Sequence, residues 1–299
     1  MKTIEQLTIV AACMLICFAM TQTANGAIEI RLAAEKTEFK LGEPVVVFVS
    51  VTNKSQEPLN LSPDLGPEAD FLQYLITNPD GRETAFSPLF VVDAGQAITL
   101  GKDETASSGA RIFYGGDGYS FPKAGKYIVV ARYKESRSNA LEIRVLAAAS
   151  DAEREQAKMI LDHPEVGLFL MLEGGDELAD AKKQIDALIS KHPTSILTNY
   201  VRYAVAKNLS TPAKNFVSKK PRPADIPRSI EMLQGLKDKD FQFYYQSKAN
   251  STLATSLAKL NRKDEARKVL QDFRRKLEGT DKIRPYYLKR VDEELEKIK

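Results

Sequence analysis

Cysteine is nearly absent from this chain of 299 residues: the only two, Cys13 and Cys17, fall within the first twenty positions. Once a leader carrying them is removed, the remainder can form no disulfide, no thiolate metal site and no cysteine nucleophile. Histidine is almost as scarce, with His163 and His192 alone, and tryptophan is missing. The usual pairings of a nucleophile with an imidazole base therefore lose most of their candidates. The chain has no HExxH, GxSxG or GxxxxGK[ST] motif, so the zinc-protease, nucleophile-elbow and phosphate-loop signatures are all missing. A long apolar run beyond the N-terminus is also missing, as is any tract polar and biased enough for extended disorder.

What is present begins with a leader. Lys2 provides a positive start, Thr8 to Met20 an apolar run of 13, and "TQTANGA" the small residues of a cleavage site before Ala27. This is the pattern of a secretory signal peptide over residues 1–26. An uncleaved anchor is the alternative, although the run is short for a bilayer span of about 20 residues. Export without disulfides points to a bacterial envelope protein, periplasmic or secreted, with no stable membrane insertion after leader cleavage.

Two halves with different periods follow. From Ile28 to Val145 apolar residues alternate. Val45, Val47, Val49 and Val51 share one face of a predicted strand, Tyr127, Val129, Ala131 and Tyr133 another, and Leu141, Ile143 and Val145 a third. "TNPDGR" supplies a type I turn closed by Gly81. After "AAASDAER" the period becomes helical. Leu178, Ala181, Ile185, Leu188 and Ile189 form one stripe, and Ile230, Leu233 and Leu236 a second. Ala266, Val269, Leu270, Phe273 and Leu277 form a third, with Gly279 as a stop, and Tyr287, Val291, Leu295 and Ile298 a fourth.

"FKLGEPVVVFVSVTNKSQEPLNL" and "FPKAGKYIVVARY" resemble a bacterial immunoglobulin-like domain. Gly125 and Tyr127 match that family's late-strand opening, Val129 stands where antibody domains carry a cysteine, and the core tryptophan is absent. The resemblance implies an antiparallel β-sandwich over 27–147, with Tyr127 as a tyrosine corner bonding back to nearby backbone. The same region loosely resembles the small sandwich domains of certain bacterial proteinase inhibitors. "LAKLNRKDEARKVLQDF" resembles a tetratricopeptide repeat, with Ala254 and Ala266 at the family's twelve-residue spacing; Ala181 and Pro193 repeat its second interval. Departures are Glu278 in place of the terminal proline and Phe169 in place of a small residue. The implied fold class is a multidomain β-plus-α chain, a sandwich followed over 148–299 by a helical-hairpin array that presents a surface to a peptide or protein.

Candidate chemistry is thin. His163-Pro164 and His192-Pro193 lie 29 residues apart and read as helix boundaries, with His192 in a last turn and Pro193 opening the next helix. Gly174-Gly175 reads as a helix end and Asp176 as the following N-cap. "FYGGDGYSF" reads as a strand loop, a sugar or calcium grip being the sharper alternative. Charge is split: residues 27–147 hold 13 Lys+Arg against 16 Asp+Glu, and residues 148–299 hold 29 against 23. The excess gathers in "KNFVSKKPRPADIPR", which suits an acidic polymer, anionic lipid heads or an acidic partner, or else a solvated loop.

The expectation is a non-catalytic, cofactor-free and metal-free exported binding or scaffold protein. Its partner would be a protein or peptide of the cell envelope, not nucleic acid. Candidate contacts are Tyr200, Arg202, Tyr203, Tyr244, Tyr245 and Lys248, unless the tyrosines fill helix seams, together with Lys219, Lys220 and Arg222. The alternatives are a proteinase inhibitor acting through strand loops and an envelope hydrolase, which a pocket of carboxylates between the halves would favour.

Overall fold

A computed structural model describes residues 27–91, 97–236, 241–278 and 283–298. The leader at 1–26 and the helix stop expected at Gly279 lie outside the described residues. The first part is made of strands β1 (Ile28–Ala33), β2 (Glu38–Lys40), β3 (Val46–Asn53), β4 (Leu59–Leu61), β5 (Gln73–Thr77), β6 (Glu83–Ala85), β7 (Ile98–Leu100), β8 (Thr105–Arg111), β9 (Tyr114–Gly115), β10 (Gly118–Tyr119), β11 (Gly125–Tyr133), β12 (Ser136–Arg137) and β13 (Leu141–Leu146). β1, β3 and β8 form one antiparallel sheet with β3 in the centre. A second sheet runs β2-β13-β11-β5-β6, antiparallel except where β2 joins β13, with β12 added beside β11. The pairs β4-β7 and β9-β10 complete the β part.

The alternation in β11 and β13 is as expected: Tyr127, Val129, Ala131, Ile143 and Val145 are buried between more exposed neighbours. β3 departs from it. Val45, Val47, Val49 and Val51 are buried, but so are Val46 and Phe48 on the opposite face. A strand buried on both faces has a second layer over its outer side. That layer is helical.

The second part comprises α1 (Asp151–Leu161), α2 (Pro164–Leu172), α3 (Ala179–Lys191), α4 (Ile196–Leu209), the small hairpin β14 (Ala213–Lys214) and β15 (Pro221–Arg222), then α5 (Ile226–Gln234), α6 (Phe243–Lys259), α7 (Lys263–Lys276) and α8 (Arg284–Lys297). The chain is thus a mixed β and α protein, strands before helices. Consecutive helices pack on one another, and the apolar stripes face inward: Ala181, Ile185, Leu188, Ile230, Leu233, Ala266, Leu270, Phe273, Tyr287 and Val291 are all buried. Pro164 occupies the first turn of α2 behind its N-cap His163. Two boundaries differ from expectation. Pro193 lies in the α3–α4 turn, because Ser195 provides the N-cap of α4 by accepting a hydrogen bond from Leu197 N at 3.2 Å. Asp176 is not a cap, since α3 starts after Leu178 and the Asp176 carboxylate accepts from Asn208 and Arg222 instead.

Polar groups join the two parts at several points. Glu35, between β1 and β2, accepts from Phe243 N (2.5 Å) and Tyr244 N (2.9 Å), so a strand-loop carboxylate caps the positive end of α6. The same carboxylate accepts from the Tyr287 hydroxyl at 2.6 Å. Glu43 is wholly buried; it is paired with Lys36 and accepts from Tyr200 Oη at 2.6 Å. Gln242 Nε2 in turn donates to Tyr200 Oη and to Pro44 O, both at 2.8 Å. Tyr119 Oη donates to Ile160 O at 2.7 Å.

Tyr114 and Tyr119 pack edge-on, 4.9 Å apart, against α2 at Gly167. A Cβ there would lie 2.2 Å from Tyr114 Cδ2. At an ordinary helical site Gly→Ala stabilises by up to about 1 kcal/mol. Gly167→Ala is instead expected to destabilise the protein by about 1–3 kcal/mol through overpacking, measured by chemical denaturation; a stabilised variant would disprove this account of the joint.

Candidate functional site

The outward positions of the first sheet carry small polar groups where they are not covered by helix. Thr105, Ser107 and Gly109 on β8 and Ser50 on β3 form a low floor, with Arg31 of β1 at its side. Phe48 is the large side chain in this row, and it is covered by Tyr286 and Tyr287, whose rings meet it edge-on at 5.7 and 5.5 Å. Beyond Phe48 the helical layer does not close down. A cleft of about 1210 Å³ remains, with this floor, a wall made by Tyr286, Lys289, Arg290 and Glu293 of α8, and a rim made by Pro63, Asp64 and Glu68. A smaller cavity of about 190 Å³ between α6 and α8 shares Tyr244, Lys248, Tyr286 and Arg290 with it.

At the inner end of the cleft lies a charged cluster. α2 ends on Glu173, which takes the left-handed conformation (φ 55°), and Gly174 N donates to Phe169 O at 3.0 Å to close the turn. This turn carries the Glu173 carboxylate inward to Arg111 Nη1 and Lys248 Nζ, each at 3.2 Å. Arg111 also donates to Met171 O at 2.8 Å. Burial opposes ionisation of Glu173, but Lys248 and Arg111 outweigh it and hold the carboxyl below the usual carboxylate range. Lys248 also sits 5.4 Å over the Tyr244 ring.

Two more carboxylates stand on the rim in unlike settings. Asp64 accepts from Gly66 N at 2.8 Å and from Ser108 Oγ at 3.1 Å. Burial pushes the Glu68 carboxyl up; its own backbone N–H and Arg111 oppose the rise, and Asp64 adds to it. Among the described residues, no group of three or more His, Cys, Asp or Glu is arranged to hold a metal ion.

The structure redistributes the residues singled out in the sequence. Tyr200, Tyr203, Tyr244 and Tyr245 are all buried, so the reading of them as exposed contacts is corrected in favour of the helix seam. Tyr200 meets Phe241 and Tyr245 edge-on at 5.0 and 4.9 Å, and Tyr203 meets Tyr245 at 5.7 Å. Arg202 donates to Pro193 O at 3.0 Å, bracing the α3–α4 hairpin. Arg222 is held by Asp176 at 2.6 Å and by Asn208 O at 2.8 Å, an anchor and not a free cation. Lys248 does reach the cleft, whereas Lys219 and Lys220 lie on the exposed β14–β15 hairpin. His163 Nδ1 pairs with Asp180 Oδ2 at 2.7 Å and His192 Nε2 lies 3.4 Å from Glu155, two separate helix-boundary contacts. "FYGGDGYSF" docks the strands on α2 through Tyr114 and Tyr119.

Sequence reasoning missed Asp64, Glu68, Arg111, Glu173, Tyr286 and Arg290. One signal was readable in "TASSGAR": its outward positions Thr105, Ser107 and Gly109 offer nothing large to bury and end in an arginine.

No protein-family model matches the chain, and none of the curated proteins matches it. Similarity to solved structures is partial. The Pseudomonas fluorescens alkylpurine DNA glycosylase AlkC is 15% identical over 41% of this chain and 31% of its own, with a TM-score of 0.29. A Listeria innocua β-glucosidase is 18% identical over 40% of this chain and 16% of its own, at 0.25. The Bacillus subtilis sporulation control protein Spo0M is 9% identical over 50% of this chain and 54% of its own, also at 0.25. The chain spans about a third of the first of these and about a sixth of the second.

The two cleft acids should act oppositely on stability. A Glu68 carboxyl raised above its unfolded value of about 4.3 opposes folding at pH 7, and the penalty fades as pH falls through the raised value. Glu68→Gln is therefore expected to stabilise at pH 7 with a gain that vanishes near pH 4. Glu173 is depressed, so its contribution is present above its unfolded value and lost as pH falls through its folded one. Glu173→Gln, which leaves Arg111 short of its carboxylate partner, is expected to cost about 3 kcal/mol at neutral pH. Denaturant titrations of both variants between these pH limits test the pair; two pH-independent differences would refute the assignment.

Proposed function

We propose that this is an exported, non-catalytic binding protein of the bacterial cell envelope, periplasmic or secreted, that holds an extended peptide segment of a partner protein in the cleft. We take residues 27–147 as an immunoglobulin-like sandwich and 148–299 as a short tetratricopeptide-like array. The first assignment is supported by Tyr127, whose hydroxyl donates to Lys123 O at 2.9 Å and accepts from Lys123 N at 3.2 Å, as a tyrosine corner does. The second is supported by consecutive helix packing and by the complete burial of Ala181, Ala254 and Ala266, where small residues allow helices to approach.

The observation that carries the binding site is the second edge of β8. Asn53 N bonds to Glu104 O and Ile112 N to Val45 O at the two ends of the β3–β8 ladder. By antiparallel alternation, the backbone groups of Thr105, Ser107 and Gly109 then point away from β3. Among the described residues β8 has a ladder partner on one side only, and Thr105 to Gly109 line the cleft in unbroken succession. Such an edge accepts an extended peptide as an added strand. Tyr286, Lys289 and Arg290 line the same cleft and would flank that peptide.

A hydrolase is the second reading, favoured by Asp64 and Glu68, two rim carboxyls whose surroundings differ. A photo-crosslinking residue in place of Ser107 separates the two. The binding reading expects protein adducts in intact cells, reduced several-fold by Lys289→Glu with Arg290→Glu. Adducts at the level of an unirradiated control would end it. Turnover of ester or glycoside substrates abolished by Glu68→Gln would establish the second reading in its place.

A further inference from the structure

The β14–β15 hairpin carries a feature unrelated to the cleft. Phe216 and Val217 are 71% and 78% exposed, more than any other large apolar side chain among the described residues. They are adjacent, at the tip of a hairpin closed by its own hydrogen bonds. Asn215 N donates to Lys220 O at 3.0 Å, and Lys219 N donates to Asn215 O at 2.8 Å. Asn215 Oδ1 accepts from Val217 N (3.0 Å) and Ser218 N (2.7 Å) inside the loop. Lys219 takes the left-handed conformation that turns the chain back. The base is fixed to the helical body through Arg222, by Asp176 Oδ2 at 2.6 Å and Asn208 O at 2.8 Å. The loop's hydrogen bonds thus present two adjacent apolar side chains to water.

Their surroundings are cationic. Lys214, Lys219 and Lys220 flank the tip, and none has a carboxylate within ion-pair distance among the described residues. No Asp or Glu occurs between Thr211 and Ala224. An apolar tip with unpaired lysines at its shoulders matches an interface with hydrocarbon beneath a layer of negative charge. A folded acidic protein would match the lysines but would need a preformed pocket for a convex Phe-Val tip, whereas a fluid bilayer needs none.

We infer that the Phe216–Val217 tip is a membrane-docking element, inserting below the headgroups of an anionic lipid surface while Lys214, Lys219 and Lys220 pair with lipid phosphates. The attachment is peripheral, in keeping with the finding that no helix among the described residues is long and apolar enough to cross a membrane. A short apolar insertion supported by three cations gives weak, reversible, salt-sensitive binding.

The test is co-sedimentation of the full protein, lacking residues 1–26, with vesicles that are one-third phosphatidylglycerol in phosphatidylcholine. Binding is expected there, not on pure phosphatidylcholine, and is lost in about 0.5 M salt, where screening is nearly complete. Lys219→Gln with Lys220→Gln is expected to weaken partitioning about 30-fold, taking about 1 kcal/mol per lysine. Phe216→Ser with Val217→Ser is expected to weaken it about tenfold or more. All four side chains are exposed, so both variants should keep the parent's circular dichroism spectrum. The protein has no tryptophan, so Phe216→Trp supplies a single reporter whose emission should shift to the blue on anionic vesicles. No vesicle binding, with capture by a soluble acidic protein instead, would overturn the proposal. So would equal binding to neutral vesicles, or binding that survives loss of Phe216 and Val217.

Discussion

The arrangement depends on the covering of β3. A Val-rich strand with one apolar face would leave the other to water, yet Val46 and Phe48 are as buried as Val45 and Val47. Phe48 is covered by Tyr286 and Tyr287 of α8, with Tyr244 of α6 against Gly109 beside it, and two carboxylates tie the strand half to these helices. Glu35 satisfies the first N–H groups of α6, and Glu43 collects Lys36 and Tyr200 at a site without solvent. Both are acids of the strand half that accept from donors of the helical half, Glu43 from one and Glu35 from three. A buried carboxylate is costly unless its lone pairs are filled. Glu35 takes Phe243 N, Tyr244 N and Tyr287 from the helical half, whereas Glu43 keeps Lys36 and Lys40 N from its own half and gains Tyr200. Separating the halves would therefore leave Glu35 without these donors as well as expose apolar surface. The cleft follows directly: α8 is brought down onto Phe48 and stops, because the next outward positions of the sheet are Ser50, Ser107 and Thr105, which give it nothing to bury.

Periodicity made the gross organisation legible. The shift from an alternating to a helical pattern near residue 147 separates strands from helices in the structure, and the stripes through Ala181, Ile185 and Leu188 or Ala266, Leu270 and Phe273 face inward as read. The tyrosines were misplaced because a phenol satisfies either reading. Exposed at a contact or buried in a seam, its ring wants apolar company and its hydroxyl a partner. Only tertiary context reveals that Tyr200 has Glu43, 157 residues earlier in the chain, as its acceptor. The cleft was legible only in fragments, for the same reason. Lys248 reads from the sequence as a candidate contact, but Arg111 and Glu173 come from distant segments and each taken alone reads as an ordinary surface charge. The hairpin tip was partly legible: its lysines were noticed as charge, but Phe216 and Val217 carry no periodic signal that would mark them as exposed.

The turn after α2 connects the two surfaces. Glu173 points one way, into Arg111 and Lys248 at the inner end of the cleft. Asp176, three residues on, points the other way and holds Arg222 at the hairpin base together with Asn208. Gly174 lies between them, and a Cβ there would fall 2.6 Å from Asn208 Oδ1, so the close approach that lets Asn208 join this knot requires glycine. What first reads as a simple helix stop therefore performs two fixations within four residues. A left-handed Glu at a helix end is uncommon, and here the ion pairs it gains offset the backbone cost. The cleft cluster and the hairpin anchor thus share one turn, tied to it by the ion pairs of Glu173 on one side and of Asp176 on the other.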